Sequence, residues 1–287
     1  MSTTTFQSRK TLPFRVELVR QLKRRRTLVA HLLMIALPLI VVAAVKFGSD
    51  DDGGGSGGGG FGGGNLNLIG LATSSAWNFT IVLLLFGSGF LLTTVFALFH
   101  GDTIASEASW NTLRYLLAAP VPRRRLLTIK LQVALLLSLS AIITLSVSSF
   151  LIGWLAFGGT DLTSPLGGTF SGSEALFRVS MITAYIFVTL LFVSGLAFLM
   201  SVTTDAPLGA VGTAVMVAIV AQILNALDAL GTVRQFLPGW YSDAWIGFLD
   251  PRIEWGLMAR GFAYSVVTFA LFSAWAYFKF ERKDIYT

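Results

Sequence analysis

The chain has 287 residues, of which 54% are hydrophobic and only 13% are charged, and its mean hydropathy is +0.72. A soluble domain carries about 25% charged residues, so this composition predicts an integral membrane protein. The net charge of +6 does not indicate nucleic-acid binding, because the positive residues sit beside apolar runs instead of covering a soluble face. Cysteine is absent, which excludes disulfides and thiolate chemistry.

Six apolar runs are each long enough to cross about 30 Å of hydrocarbon at about 1.5 Å per residue. We expect them at residues 27–47, 78–99, 133–157, 179–202, 208–230 and 259–280. The predicted fold class is therefore an all-α integral membrane protein with six transmembrane helices. Residues 1–26 form a cytoplasmic tail, and residues 27–287 form one six-span domain.

Lysine and arginine are distributed unevenly between the two sides of these runs. Eight precede residue 27, five lie in 101–130 and three follow residue 278, whereas the remaining five lie on the opposite flanks. Positive residues are retained on the cytoplasmic side. We therefore predict a multi-pass protein of the cell inner (plasma) membrane with cytoplasmic N- and C-termini.

The N-terminal tail contains a short helical pattern. Phe14, Leu18 and Leu22 recur every four residues, which predicts a helix lying at the membrane interface. Two groups of arginines are expected to anchor the chain to anionic headgroups, each residue contributing about 1 kcal/mol. These are Arg24, Arg25 and Arg26 before the first span, and Arg123, Arg124 and Arg125 before the third. The first group is equally consistent with a plain topology signal or with a partner contact.

Residues 101–130 form the one long polar connection on the predicted cytoplasmic side. Asp102 is expected to cap a helix there, because its carboxylate can accept from the exposed N–H groups of a first turn. Trp110, Leu113 and Leu117 recur at helical spacing, and Pro120 ends the pattern. The segment therefore predicts an amphipathic helix on the membrane surface that another protein contacts to supply mechanical work.

The other connections predict three features. Residues 48–77 form an external glycine-rich loop without a stable fold. The turn at 203–207 is short enough to pair spans four and five as a hairpin. Residues 231–258 are rich in aromatic side chains, which predicts short external re-entrant or interfacial helices. His100, at the end of span two, is expected to be solvated at the interface.

Span five combines a face of small residues with a polar outer end. These residues are Gly209, Ala210, Thr213 and Ala214, followed by Gln222, Asn225 and Asp228. Small residues allow close helix contact, and a carboxylate near hydrocarbon needs water or a partner. The set is a candidate for the transport path or a dimer contact. The spacing is equally compatible with packing inside one subunit, and Asp228 with an ordinary interfacial position.

Catalytic motifs are missing from the sequence. A Walker A motif is excluded because none of the six lysines follows a glycine. There is no H-E-x-x-H motif and no cysteine nucleophile, and the one G-x-S-x-G match, residues 54–58, lies in the glycine-rich loop and is no nucleophile elbow. We therefore predict no catalytic, cofactor-binding or metal-binding residues, and we predict that the chain is not an enzyme.

Residues 107–130 contain an ordered set of motifs: Glu107, the Thr112-Leu113-Arg114 run, the leucines before Pro120, Pro122-Arg123 and Lys130. This order resembles that of the membrane (permease) subunits of type-2 ATP-binding-cassette (ABC) exporters. Leu237-Pro238 with trailing aromatics and the segment from Phe280 to Ile285 are similar too. The likeness extends over essentially all six spans.

This resemblance implies a permease that pairs with a second copy or a paralogue and with two cytoplasmic ABC ATPase subunits. Those subunits would bind ATP and Mg²⁺, while this chain itself binds no cofactor. The implied ATPase-coupling residues are Asp102, Glu107, Trp110, Leu113, Arg114 and Leu117. The expected cargo is a hydrophobic or amphipathic compound such as a drug, antibiotic, peptide or lipid.

Two other functions remain open on the sequence. A secondary carrier or channel would need no ATPase, and a scaffold protein of the membrane would transport nothing. Transport by the purified chain without nucleotide would favour the first, whereas a Walker-containing protein that co-purifies in equal amount would favour the exporter.

Overall fold

A computed structural model of the chain describes residues 13–47, 68–109 and 122–282. Most of the predicted glycine-rich loop lies outside these residues. So do four of the predicted coupling residues, Trp110, Leu113, Arg114 and Leu117. Their roles stay predictions.

The described residues form ten α-helices, a π-helical turn, two 3₁₀ segments and one small hairpin. The α-helices are α1 (Phe14–Leu22), α2 (Arg25–Phe47), α3 (Leu68–Ser74), α4 (Ala76–Phe86), α5 (Leu92–Ser109), α6 (Arg123–Phe157), α7 (Gly172–Thr189), α8 (Leu191–Thr203), α9 (Pro207–Asn225) and α10 (Trp255–Glu281). The π turn is Gly87–Leu91, the 3₁₀ segments are Asp228–Phe236 and Ser242–Phe248, and the hairpin pairs β1 (Leu162–Thr163) with β2 (Thr169–Phe170).

Six helical segments are long and apolar enough to cross a membrane, as expected of a multi-pass membrane protein. They are α2, α4 with the π turn and α5, α6, α7 with α8, α9, and α10. The prediction of six spans in a helical membrane protein is confirmed at this level. The hairpin is a small departure from all-α structure.

Several predicted span ends differ from the helix ends by four residues or more. In span two, α5 continues ten residues past Phe99 to Ser109. In span three, α6 begins at Arg123, ten residues before Val133. The fifth ends at Asn225 instead of residue 230. Hydropathy locates apolar surface, whereas a helix continues as long as its backbone hydrogen bonds and packing allow, so the two limits need not coincide.

Local signals explain several boundaries. The Ser75 hydroxyl caps α4 by accepting from the Asn78 backbone N–H at 3.2 Å. Pro207 occupies the first turn of α9, where its missing N–H has no helical partner to lose. At the end of α6, Gly158 adopts a φ of 66°, which other residues adopt only with strain.

The second span is the centre of the bundle. Its α4 half packs against α6, and its α5 half packs against α8 and α9. The remaining spans pack around this centre, α2 on α6 and α10 on α8. Fully buried Phe79 and Phe96 fill the interior, while exposed leucines, valines and isoleucines cover the outer faces of α2, α9 and α10. Exposed apolar side chains on the outer faces are expected of helices that face lipid.

The two ends of the bundle differ in composition. We call the end that holds α1, Ser109, Arg123 and Glu281 the charged end. The opposite end, which holds the hairpin and both 3₁₀ segments, we call the aromatic end, since Trp245 and Phe248 are buried there. Short helices between spans five and six were predicted and are present; their position in a leaflet stays a prediction.

Arg178 organises the aromatic end. Its side chain is 5% exposed, and its Nη1 donates to the carbonyl oxygens of Phe248 at 2.5 Å and Asp250 at 2.8 Å. Its guanidinium also lies 3.7 Å from the centre of the Phe170 ring and pairs with Glu174 at 2.9 Å. One buried side chain thus joins the hairpin, the second 3₁₀ segment and α7.

The small-residue face of α9 packs inside this chain. Ala210 and Ala214 are fully buried, and α9 contacts α5 and α8. Of the two interpretations left open by the sequence, packing within one subunit therefore accounts for these alanines.

His100 is also fully buried, so the expectation of a solvated histidine is wrong. It lies on α5, whose extension past residue 99 keeps it inside the bundle.

Candidate functional site: a buried charge cluster

Four helices bring ionised side chains together at the charged end. We call Glu17, Arg20, Arg24, Arg26, Asp102, Glu107 and Lys130 the charge cluster. They come from α1, the chain between α1 and α2, the start of α2, the last turns of α5 and the early turns of α6. Helical spacing favours this arrangement. Glu17 and Gln21 lie on one face of α1, and Thr103 and Glu107 lie on one face of α5.

Lys130 is the centre of the cluster. Its Nζ lies 2.6 Å from Glu107 Oε1 and 3.5 Å from Glu17 Oε1, and it donates to the carbonyl of Thr103 at 3.2 Å. Lys130 and Glu17 have side chains that are each only 1% exposed. A lysine buried this deeply is rare unless it is paired, so the two carboxylates account for its position.

Arg20 connects the same two carboxylates from the outer side. Its Nη2 lies 2.8 Å from the Glu17 carboxylate and 2.5 Å from Glu107 Oε1. Gln21 adds a neutral hydrogen bond by donating to Glu17 Oε1 at 2.9 Å. Two carboxylates and two cations thereby alternate between α1, α5 and α6.

Asp102 holds the beginning of α2. It forms an ion pair with Arg26, and Arg24 Nη1 lies 3.4 Å from its Oδ2. Arg26 also donates to Gln21 Oε1 at 3.2 Å, which links this pair to the Lys130 group. The entry of span one is therefore fixed against the end of span two.

Burial makes the pairing energetically demanding. Removing charges from water costs several kcal/mol per ion, and the cost is recovered only where good geometry and further hydrogen bonds are present. Burial alone would raise the pKa of Glu17, but the charge of Lys130 and hydrogen bonds from Arg20 and Gln21 outweigh it and lower that pKa below its ordinary value. Burial likewise opposes the charge of Arg20, yet its contacts with Glu17 and Glu107 raise its pKa.

The lowered pKa of Glu17 predicts an acid-sensitive contact of α1. Because the docked carboxyl binds its proton less readily than a free one, the contact is fully stabilised above the ordinary Glu pKa and loses that contribution as pH falls through the lowered value. A fluorophore at Val16→Cys, an exposed position in a cysteine-free chain, should report release of α1 on acidification. In Glu17→Gln the same label should report weaker docking at neutral pH and a smaller pH response.

The geometry of the cluster fits a clamp between helices. Its members are alternating acids and bases that satisfy one another, and the described residues contain no group of three or more His, Cys, Asp or Glu side chains placed to hold a metal. Ser201 of α8 extends the clamp to span four, because its hydroxyl accepts from the Ile104 backbone N–H at 2.9 Å. Displacement of α5 at this end would thus be transmitted to several spans.

The structure changes the interpretation of the two described coupling residues. Asp102 does not cap a helix, because α5 runs uninterrupted from Leu92 to Ser109 and no helix begins at 102. Asp102 and Glu107 are both buried and paired within this chain. Their carboxylates therefore pair with side chains of α1, α2 and α6 in the same chain.

The predicted anchoring arginines differ in their surroundings. Arg24 and Arg26 pair with Asp102, whereas Arg25 is exposed. Arg124 pairs with Glu281 of α10, and Arg123 donates to the Glu281 carbonyl at 3.1 Å. Arg125 is half-buried near the start of α6. At least four of the six thus have intramolecular partners besides any role at headgroups.

The remaining candidate path or dimer-contact residues of span five are only partly brought together. Gly209, Thr213, Gln222 and Asp228 are exposed. Gln222 Nε2 donates to the Gly89 carbonyl in the π turn at 3.3 Å, and Asn225 donates to the Pro238 carbonyl at 3.0 Å. Asp228 pairs with Arg234 Nη1 at 2.8 Å, which supplies the partner that a carboxylate there requires.

Sequence reasoning did not assign the centre of the cluster to a site. Lys130 carries part of the resemblance and Arg20 lies in the predicted interfacial helix, but neither Arg20 nor Glu17 is singled out as a site residue from the sequence. A signal was present, because Glu17 is the only acidic residue before Asp50 and Lys130 stands inside an apolar run. Such isolated charges indicate a buried partner, although they do not identify it.

Residues 65–286 match the model of a family described as "Protein of unknown function (DUF2705)". The chain belongs to this family. The DUF2705 match includes spans two to six, and therefore the Glu107 and Lys130 parts of the charge cluster, while α1 and α2 precede it. No curated protein matches the chain.

Proposed function

We propose that the chain is the permease subunit of an ATP-driven ABC exporter, with a separate ATPase supplying the energy. In this proposal two cytoplasmic ATPase subunits bind ATP and Mg²⁺, and a second copy or a paralogue completes the path. The charged end faces the cytoplasm, both termini lie there, and the membrane is the plasma membrane. The cargo is a hydrophobic or amphipathic compound.

The observation that carries the proposal is the extension of spans two and three. Each helix continues ten residues beyond its predicted apolar limit, which is about 15 Å at about 1.5 Å per residue. Residues 110–121 connect the two extensions. A partner bound to this connection would therefore act on two helices that lead directly into the bundle.

The charge cluster suits the transmission of such a force. Ion pairs join the extension of span two to α1, to the start of span one and to span three. Ser201 joins it to span four. A displacement at residues 110–121 would then move a braced unit instead of bending one isolated helix.

Span two also contains a feature that favours a change of shape. The π turn at Gly87–Leu91 interrupts α-helical hydrogen bonding between α4 and α5. Such turns frequently occur at functional positions in helices. Gln222 of span five contacts this turn, so tilting of span two would be coupled to the polar end of span five.

Leu113→Asp tests the coupling role. We expect at least a tenfold loss of ATP-dependent dye efflux, about 1.4 kcal/mol of coupling, from vesicles containing the permease and its ATPase. The variant chain should still insert and fold, because Leu113 lies in the polar connection and not in an apolar span. Efflux of a fluorescent amphipathic dye and nucleotide hydrolysis should be measured on the same vesicles.

Leu166→Asp is the matched control, since Leu166 is exposed in the hairpin turn at the aromatic end. It should leave dye efflux and nucleotide hydrolysis unchanged. Substitution of Glu107, which the sequence alone would recommend, is a poor probe because it disrupts the buried cluster. Efflux by the purified chain without nucleotide would instead support a secondary carrier and overturn the proposal.

A further inference from the structure

A groove opens at the charged end between the last turns of α8 and α10. It is lined by Val202, Thr203, Phe278, Lys279 and Arg282, and its volume is about 410 Å³. Neither Arg124 nor Glu281 lines it, so the groove is distinct from the ion pair that joins α6 to α10. The charge cluster shares none of these lining residues.

The groove combines cations with apolar walls. Lys279 and Arg282 supply two positive charges, while Val202 and Phe278 supply apolar surface. The Arg282 guanidinium lies 3.9 Å from the centre of the Phe278 ring, which holds the cation against the aromatic wall. Glu281, the nearest acid along α10, is occupied by Arg124.

An apolar stripe leads from this groove along the outer face of α10. Leu271, Trp275, Phe278 and Arg282 follow one another at spacings of four, three and four residues, which places them on one helix face. The first three are large exposed hydrophobic residues within a span. The stripe therefore ends at the cations where the helix leaves its apolar stretch.

We infer that this groove binds the headgroup of an anionic phospholipid, with an acyl chain lying along the α10 stripe. The occupant must present an anion beside Lys279 and Arg282 and hydrocarbon beside Phe278, Trp275 and Leu271. A membrane phospholipid meets both requirements at the position where α10 ends. The inference is independent of the proposed transport function, since any membrane-embedded role would leave the groove in contact with lipid.

The test is native mass spectrometry of the purified full chain titrated with phosphatidylglycerol and, separately, with phosphatidylcholine. The wild-type chain should bind phosphatidylglycerol with saturation and in clear preference to phosphatidylcholine. In Lys279→Gln/Arg282→Gln the affinity for phosphatidylglycerol should fall about 30-fold, which corresponds to about 1 kcal/mol for each cation near an anionic lipid. Both residues are exposed, so the variant should remain folded.

Arg15→Gln/Lys23→Gln is the matched control. It removes two exposed cations from the same end but outside the groove. Unchanged phosphatidylglycerol affinity in this control would support a defined site. An equal loss in both double variants, equal binding of phosphatidylcholine, or displacement of the lipid by excess inorganic phosphate would each overturn the inference, since each would show a diffuse, non-selective or purely anionic site.

Discussion

Lys130→Met should destabilise the folded chain by about 3–5 kcal/mol, the cost of removing one partner from a buried ion pair. The substitution preserves much of the side-chain volume but leaves Glu17 and Glu107 with Arg20 as their shared cation in the centre of the charge cluster. Two buried carboxylates that share one cation favour protonation or separation of the helices. We expect a much lower unfolding temperature in detergent and greater protease access to α1.

Two further variants separate this mechanism from a general effect of losing a lysine. Lys23→Met removes an exposed cation at the same end and should change stability by less than about 1 kcal/mol. Lys130→Met/Glu107→Gln removes one charge of each sign, so it should be less destabilised than the sum of its single variants. Additive effects in this double-mutant cycle would contradict direct coupling between Lys130 and Glu107.

Arg178→Met should destabilise the aromatic end by about 3 kcal/mol, since hydrogen bonds from a charged donor contribute about 1.5–3 kcal/mol each. The carbonyl oxygens of Phe248 and Asp250 would lose their charged donor, and the Phe170 ring would lose its cation. We expect the hairpin to detach before the spans unfold. Proteolysis in residues 158–171 should therefore accelerate at temperatures where the wild-type chain is still resistant.

Arg252→Met is the matched control, because Arg252 is exposed at the same end of the bundle. Glu174→Gln tests the outer part of the Arg178 contact, and the effect should be small since the Glu174 side chain is 48% exposed. Equal protease sensitivity in the Arg178 and Arg252 variants would show that the Arg178 side chain does not hold the hairpin.

The number of spans was predictable from the sequence because hydropathy is a local property. A run such as 133–157 is apolar whichever neighbours it acquires, and its length alone permits a crossing. The short turn at 203–207 was equally local, since few residues connect α8 to α9. The helix ends at Ser109 and Arg123 were not predictable in this way, because the polar residues beyond the apolar limits are held in helices by contacts with other elements.

The centre of the candidate site depended on tertiary contacts. Arg20 and Glu107 are 87 residues apart in the chain, and no local pattern pairs them. For the same reason, the alanine face of α9 could equally have met another subunit until Ala210 and Ala214 were seen to be buried against this one. Sequence by itself determined which segments are apolar enough to cross a membrane, whereas the packing of those segments decided which isolated charges became partners. Apolar burial requires only suitable surface, but a buried charge requires one particular partner within a few ångströms.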